Sequence, residues 1–275
     1  MKLGMIGAGR TAAVMGGFFR RKGFTLLGYA SRTFASAQEN ARITDSKAWE
    51  DASALAQACD VIFLSMTDDA ILENAKKLAQ GGCSGKLCGI FSGALSSADL
   101  APLQAAGNTV FSLHPPYSFA DKHMNPAALD GVTFTLEGAG ADMDKLRQAL
   151  QTAGIAYQEI RPADKPRYHA ATCASANYLV SLVKLTEDLL AGTDVSPELF
   201  QPMARAALEN AFTHGPHAAL TGPIARSDVG TLRRQMQAIP EGTAKDIYAA
   251  LGRYTADWAL ENGTSKDNVK EALES

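Results

Sequence analysis

The chain has 275 residues, of which 46% are hydrophobic and 20% are charged. That composition is typical of a globular protein with one large or two ordinary domains, and it excludes an intrinsically disordered chain. The formal net charge is −3 and no long basic run occurs, so we expect no nucleic-acid partner. No stretch approaches the roughly 20 consecutive apolar residues that cross a membrane, so we expect no membrane partner either.

The four cysteines, at positions 59, 83, 88 and 173, form no C-x-x-C pair and no pattern typical of a disulfide framework. A reducing, cytoplasmic location is therefore the simplest expectation. The N-terminal sequence MKLGMIGAGR does not have the pattern of a signal peptide, because glycines interrupt its apolar run.

Short apolar runs alternate with helical patterns from the N-terminus to about residue 160. This alternation predicts an α/β fold of the Rossmann type, with a doubly wound, largely parallel sheet. Strands are predicted at residues 2–6, 25–30, 60–66, 85–91, 109–114, 131–137 and 156–160, and helices at 10–23, 48–58, 69–79, 96–106 and 141–153.

The pattern changes after the sequence RPADKP (161–166), beyond which no strand pattern occurs. We therefore predict a Rossmann domain over residues 1–161 and an all-helical domain over residues 162–275. Helices are predicted at residues 166–192, 196–213, 228–238, 242–262 and 265–274, with a loop or broken helix at 214–228.

The sequence GMIGAGRTA places Gly7, Gly9 and Ala12 in a G-x-G-x-x-A pattern between the first strand and the first helix. The first glycine allows a tight turn, the second lets the backbone approach a pyrophosphate, and the small third residue lets the helix pack closely. The helix N-terminus offers free N–H groups to the phosphates. A dinucleotide site is therefore predicted at Gly7, Gly9, Arg10, Thr11 and Ala12, with an ordinary strand–helix turn as the alternative.

The second predicted strand ends in YASRT, where an NAD site would carry Asp or Glu. The guanidinium of Arg32 can bind a ribose 2′-phosphate, and the hydroxyls of Ser31 and Thr33 can add hydrogen bonds. NADP(H) is therefore the predicted cofactor, unless Arg32 is only a solvated loop residue.

Two further strands of the predicted sheet end near candidate cofactor contacts. In open α/β sheets, ligands lie outside the carboxyl ends of the strands. Met66 and Thr67 are therefore expected near the cofactor ribose, and Ser92 near the nicotinamide. Asp68 or Asp69 is expected to cap the following helix.

His114 ends another strand and precedes two prolines, which fix the backbone beyond it. Because imidazole titrates near neutral pH, His114 is the leading candidate for proton transfer beside the nicotinamide. A structural hydrogen-bonding role is the alternative.

The helix predicted after residue 166 carries His169, Cys173 and Asn177 at four-residue spacing, so they share one stripe of its surface. His169 and Asn177 are candidate catalytic residues, with buried structural hydrogen bonding as the alternative. In the loop ALTGPIARSD, Arg226 is a fixed cation suited to a carboxylate or phosphate of the substrate. A surface ion pair between Arg226 and Asp228 is the alternative.

Five motifs, GMIGAGRTA, SGALSS, SLHPPYSF, YHAATCASANYLVSL and LTGPIARSD, resemble in sequence and order a family of bacterial Rossmann-like proteins. The C-terminal half of that family is a domain of unknown function. One departure is Ser227, where glycine is expected after PIAR. The resemblance implies an NADP-binding oxidoreductase of the 6-phosphogluconate-dehydrogenase-like superfamily, whose helical domain binds substrate and forms a homodimer.

Better-known enzymes offer partial parallels. The His-Pro pair at His114 resembles that of prephenate dehydrogenase, whose histidine engages the oxidised hydroxyl. Hydroxyacid dehydrogenases and ketopantoate reductase carry a lysine and, four residues later, an asparagine; Asn177 matches the asparagine, but Cys173 occupies the lysine position. Ketopantoate reduction would then need His169 or Lys165 in place of that lysine.

Together these features predict an NADP(H)-dependent oxidoreductase that transfers a hydride to or from a small carbonyl, imine or hydroxyl substrate held between the two domains. We expect His114 to move the proton and Arg226 to hold a substrate anion. His169 and Asn177 would orient the substrate, and no metal is expected. The alternatives are a ketopantoate-reductase-like enzyme with an altered catalytic set and a non-catalytic NADP(H)-sensing protein.

Overall fold

The computed structural model describes residues 1–274, and the first part of the chain contains one eight-stranded sheet. Its central strands are short and apolar on both sides, as expected for strands covered by helices on both faces. The strands are β1 (Lys2–Ile6), β2 (Thr25–Ala30), β3 (Lys47–Trp49), β4 (Val61–Leu64), β5 (Leu87–Ile90), β6 (Thr109–His114), β7 (Phe134–Ala139) and β8 (Tyr157–Glu159).

The sheet has the order β3-β2-β1-β4-β5-β6-β7-β8. The strands from β3 to β6 in that order are parallel, β7 runs antiparallel to β6, and β8 runs parallel to β7. The predicted doubly wound, largely parallel α/β fold is thus confirmed. The chain order reverses between β1 and β4, which is where such sheets bind ligands at their carboxyl edge.

Among residues 1–176, seven α-helices accompany the sheet, and apolar side chains fill both of its faces. On one face, Phe18 and Phe19 of the first helix stack on Phe134 and Phe63 of the strands. The helices are α1 (Arg10–Arg21), α2 (Phe34–Thr44), α3 (Ala52–Ala58), α4 (Asp68–Gln80), α5 (Ala101–Ala105), α6 (Met143–Thr152) and α7 (Lys165–Ser175).

The second part of the chain is helical, as predicted. Its own core is formed by apolar residues of three helices, including Leu232, Met236, Ala256 and Val269. No helix among residues 1–274 is long and apolar enough to cross a membrane. The helices are α8 (Asn177–Leu189), α9 (Gln201–His214), α10 (Pro216–Ala219), α11 (Val229–Ala238), α12 (Thr243–Ala259) and α13 (Thr264–Ala272).

Three element predictions were wrong. The helix predicted at 48–58 is β3 followed by α3, and α2 was not predicted. The helix predicted at 166–192 is broken at Ala176, whose φ of −125° leaves the helical region. Neither a glycine nor a proline marks this break, so the local pattern could not show it.

The chain divides into two compact units, residues 1–176 and the remainder from Asn177 onward. This division falls after α7, beyond the boundary predicted near residue 161. Helix α7 belongs to the first unit because the side chain of Lys165, at its start, is buried there.

Candidate active site

The turn after β1 is built on Gly7, whose φ is +110°. A Cβ at this position would collide with the carbonyl oxygen of Ser65, the residue after β4. Only glycine therefore permits both the backbone conformation and the close approach of the two turns. The turns after β1 and β4 thus meet at the point where the sheet order reverses.

Gly9 leaves an open space in front of α1. A Cβ built on it would have no neighbour within 4 Å, and its φ of −79° is accessible to any residue. No side chain caps α1, and its first turn carries no acidic residue. The free N–H groups and the positive end of the helix dipole therefore face a space that fits a phosphate.

The other residues of the predicted phosphate loop have separate contacts. Ala12 is fully buried, and its carbonyl accepts a hydrogen bond from the Tyr29 hydroxyl at 3.3 Å. The guanidinium of Arg10 donates to the carbonyl of Ala120 at 3.0 Å, which joins α1 to the segment after His114. Thr11 is half-buried.

The end of β2 is open to an anion. Arg32 and Thr33 are exposed and Ser31 is half-buried. Among residues 1–274, no carboxylate forms an ion pair with Arg32. Thr33 begins α2 without a side-chain cap, so the N–H groups of that helix face the same loop. These groups can bind a 2′-phosphate.

A cavity of about 150 Å³ brings three predicted cofactor residues together, Thr11, Met66 and Ser92. Its remaining lining residues are Leu64, Ser65, Asp68, Ile71 and Phe91. A larger groove of about 470 Å³, lined by Met1, Phe24 and Lys145, lies near the start of β2 and contains no predicted site residue.

Thr67 is exposed and occupies the N-cap position of α4, where we expected Asp68 or Asp69. That expectation was wrong by one residue or two, since both aspartates lie in the first helical turn. There their charges favour the helix dipole without capping it.

Ser92 forms the turn after β5. Its hydroxyl accepts hydrogen bonds from the N–H groups of Ala94, at 3.2 Å, and Leu95, at 3.0 Å. The next residue is Gly93. A Cβ on Gly93 would lie 2.9 Å from Nε2 of His114 and 2.9 Å from Cδ2 of His169. The turn that lines the cavity therefore also touches both histidine rings.

The ring of His114 is largely buried at the end of β6. Its Nδ1 lies 2.6 Å from the hydroxyl oxygen of Tyr168, and the two rings are nearly perpendicular. Burial lowers the pKa of His114 to about 4, with smaller contributions from the charges of Lys165 and His169. Burial also raises the pKa of the Tyr168 phenol. Both side chains are therefore uncharged at neutral pH.

Lys165 and Glu137 form a buried ion pair behind this turn, and sequence reasoning missed the pair. Their side chains are 1% and 2% exposed, with 3.9 Å between Nζ and Oε1. Lys165 was one possible substitute for the lysine of hydroxyacid dehydrogenases, and its ammonium is enclosed by protein and bonded to the Ser92 carbonyl and the Ser112 hydroxyl. Its position inside the proline-flanked sequence RPADKP, at the start of a helix, gave no signal of burial.

Asn177 and Arg226 belong to the second unit, and both are exposed there. Asn177 begins α8. Asp228 caps α11 by accepting hydrogen bonds from the backbone and hydroxyl of Thr231, at 3.0 and 2.8 Å. Ser227 has a φ of +53°, the left-handed region that favours glycine, which explains why glycine is expected after PIAR.

Two family models match the chain. The Rossmann-like domain matches residues 1–115, and DUF2520, a domain of unknown function, matches residues 132–255. The chain combines a Rossmann-like domain with a DUF2520 domain. The DUF2520 match begins before β7, so Glu137, Lys165, Tyr168 and His169 lie in it, whereas His114 lies in the Rossmann-like match. The site described above is thus built from both.

Several solved structures share this fold. A candidate NADP oxidoreductase from Bacteroides fragilis is 19% identical, with a TM-score of 0.75 over 92% of this chain and 96% of that chain. A reductive aminase from Aspergillus terreus, solved with NADPH and ethyl-5-oxohexanoate, is 15% identical, with a TM-score of 0.66 over 99% and 98%. An imine reductase from Streptomyces aurantiacus is 15% identical, with a TM-score of 0.64 over 100% of both chains. No functionally curated protein matches the chain.

Proposed function

We propose that the protein is an NADP(H)-dependent oxidoreductase that acts on a small carbonyl or imine, or on the corresponding alcohol or amine. One observation carries this proposal: the turn at Ser92 and Gly93 lines the cavity beside the phosphate loop and also touches the rings of His114 and His169. A nicotinamide in that cavity would lie next to groups that can move a proton.

NADP(H) fits the residues present. The open space at Gly9 and the uncapped start of α1 would receive the pyrophosphate, and Arg32 with its neighbouring hydroxyls would hold the 2′-phosphate. Thr11, Met66 and Ser92 would contact the ribose and nicotinamide. When bound, this cofactor supplies or accepts the hydride.

His114 supplies the proton in its neutral form. We assign the tautomer in which Nδ1 accepts a hydrogen bond from Tyr168, so that the hydrogen is on Nε2, which lies at the Gly93 turn. As negative charge develops on the substrate oxygen or nitrogen, Nε2 gives up its proton and Nδ1 takes that of Tyr168. Tyr168 is half-exposed, so water can restore its proton. In the oxidative direction the same protons move back.

The substrate class rests on the neighbours in fold, which include an imine reductase and a reductive aminase. We assign His169, whose ring lies beside that of His114, to orienting the substrate. Asn177 would assist it and Arg226 would hold a substrate anion. Ketopantoate is one 2-keto acid to be tested within this class.

We also propose a cytoplasmic homodimer formed through the second unit. Several large apolar side chains of α8 and α9 are highly exposed in a single chain, with Val180 71%, Met203 64% and Phe212 82% accessible. Exposed apolar surface of this kind marks association sites. Light scattering on the purified protein measures its mass directly, and a monomer at micromolar concentration would contradict this assignment.

A turnover screen with NADPH tests the function. Cyclic imines, ketone and amine pairs, and 2-keto acids including ketopantoate are offered as substrates while the loss of NADPH absorbance is followed. His114→Ala should lower turnover by about 10²–10⁴-fold, the usual contribution of general acid–base catalysis, with NADPH affinity nearly unchanged. His123→Ala, which changes an exposed histidine, is the matched control and should behave like the wild type.

Two outcomes would overturn parts of the proposal. If NADPH binding is lost in His114→Ala, the histidine has a structural role and the assigned proton transfer is wrong. If NADPH binds tightly but no compound in the screen turns over, a non-catalytic NADP(H)-sensing protein replaces the enzyme.

A further inference from the structure

The interior of the first unit holds two charges that the proposed chemistry does not use. Lys165 and Glu137 are nearly inaccessible, and 3.9 Å separates Nζ from Oε1. Burying an ion pair seldom adds stability over apolar residues of the same volume, because both ions lose their hydration. Because this ion pair lies directly behind the site formed by His114 and His169, we expect a role other than stabilising the fold.

The ammonium of Lys165 makes two hydrogen bonds, one to the turn and one to the strand beside the site. It donates to the carbonyl of Ser92 at 2.9 Å and to the hydroxyl of Ser112 on β6. The Ser112 hydroxyl in turn lies 3.2 Å from the same Ser92 carbonyl. Lys165 and Ser112 thus fix the backbone of the residue that precedes Gly93.

Glu137 holds the other end of the network. Its carboxylate accepts hydrogen bonds from the N–H of Ser97, at 2.7 Å, and from the Ser97 hydroxyl, at 2.6 Å. Glu137 pairs with Ser112 in the β6–β7 register. The network therefore joins β6, β7, the segment from Ser92 to Ser97 and the start of α7.

Charged groups face this network from several elements. Burial lowers the pKa of Lys165 to about 8, against the opposing charges of Glu137, Asp68 and Asp99. The charge of Lys165 in turn acts on His114, together with burial and with His169. The positive charge of Lys165 disfavours protonation of the His114 ring. It therefore favours the neutral form of His114 that the proposed chemistry requires.

We propose that Lys165 is a positioning residue: its ammonium, balanced by Glu137, holds the Ser92–Gly93 turn against His114 and His169 and keeps positive charge beside the His114 ring. This role depends on the proposed function only for its effect on turnover. The position of the turn and the charge beside His114 involve only residues of the first unit, so both can be tested without a substrate.

Nuclear magnetic resonance of the His114 ring tests the proposal in the wild-type protein. As Lys165 loses its proton, the charge facing the ring disappears, so the ring signals should show a second, alkaline step centred near pH 8. Absence of that step would overturn the proposal. The experiment requires neither a variant nor a substrate.

The double variant Lys165→Met/Glu137→Gln gives the second test. It removes both charges with little change in volume and leaves an amide that can still bond to Ser97. The alkaline step should vanish, and the pKa of His114 should rise by roughly one unit as the neighbouring cation is removed. A merely structural role would leave the pKa of His114 unchanged, and that result would overturn the proposal.

Activity then separates the two proposals. In the double variant, turnover should fall by up to about 10²-fold through misplacement of the site, while NADPH affinity stays close to that of the wild type. If no substrate turns over even in the wild type, the proposed function fails, but the two steps of the His114 titration still decide the role of Lys165. Full activity in the double variant would contradict a positioning role.

Discussion

The low pKa of His114 links the stability of the protein to pH, and His114→Gln isolates that link. Burial is the main reason that the pKa lies near 4 in the folded state, against an ordinary value of 6.5. At pH values between these two pKa values, His114 is protonated in the unfolded chain but remains neutral in the folded protein. Folding stability contributed by this residue is therefore complete above pH 6.5 and is lost as the pH falls toward 4.

The magnitude follows from the shift. At pH 4.5 the unfolded histidine is two pH units below its ordinary pKa, and each unit is worth about 1.36 kcal/mol. Between pH 7 and pH 4.5, the free energy of unfolding of the wild type should thus fall by about 2.5 kcal/mol more than that of His114→Gln. Glutamine keeps a hydrogen-bonding group near Tyr168, so the variant should fold. Urea unfolding at the two pH values gives the free energies, and His123→Gln serves as the exposed control. Equal pH dependence in wild type and His114→Gln would refute the assignment of a buried, neutral imidazole.

Three further predictions concern substitutions at positions where the backbone conformation, or the space beside the backbone, matters most. Gly9→Ala should leave the melting temperature unchanged. Its methyl group occupies the space proposed for phosphate, so NADPH binding measured by calorimetry should weaken by at least about 10-fold. An undiminished affinity for NADPH would mean that the phosphates bind elsewhere. Gly93→Ala should lower turnover with intact NADPH binding, since its methyl group displaces the rings of His114 and His169, and an alanine variant with wild-type turnover would contradict this arrangement. Ser227→Gly should raise the free energy of unfolding by up to about 1 kcal/mol by relieving a left-handed backbone. Ser84→Gly is its control in denaturant unfolding and should not stabilise the protein.

Local signals predicted the parts of the fold that depend on local chemistry. The glycine pattern located the turn after β1 and the start of α1, and the apolar run at 109–114 gave β6 with His114 as its last residue. Thr11, from the glycine pattern, and Met66 and Ser92, from the strand ends, were each predicted to contact the cofactor, and all three line one cavity.

The missed features depend on contacts between residues distant in sequence. Glu137 and Lys165 come from β7 and α7, and neither the strand pattern nor the linker indicated that both charges are buried. Tyr168 showed no sign of its bond to His114, 54 residues away. The break at Ala176 lies in a stretch without glycine or proline, so no helix-breaking residue marked it in the sequence.

A crystal structure of the protein with NADPH would show whether the cofactor lies between the phosphate loop and His114. The pyrophosphate should lie at the start of α1 and the 2′-phosphate at Arg32. The nicotinamide should lie against Met66 and Ser92, with its C4 facing the His114 ring. The gap between C4 and the ring should admit one small substrate group, at the near-attack distance of about 3–3.5 Å from both C4 and the ring. Phosphates bound away from α1, or a nicotinamide turned away from His114, would contradict the proposed function.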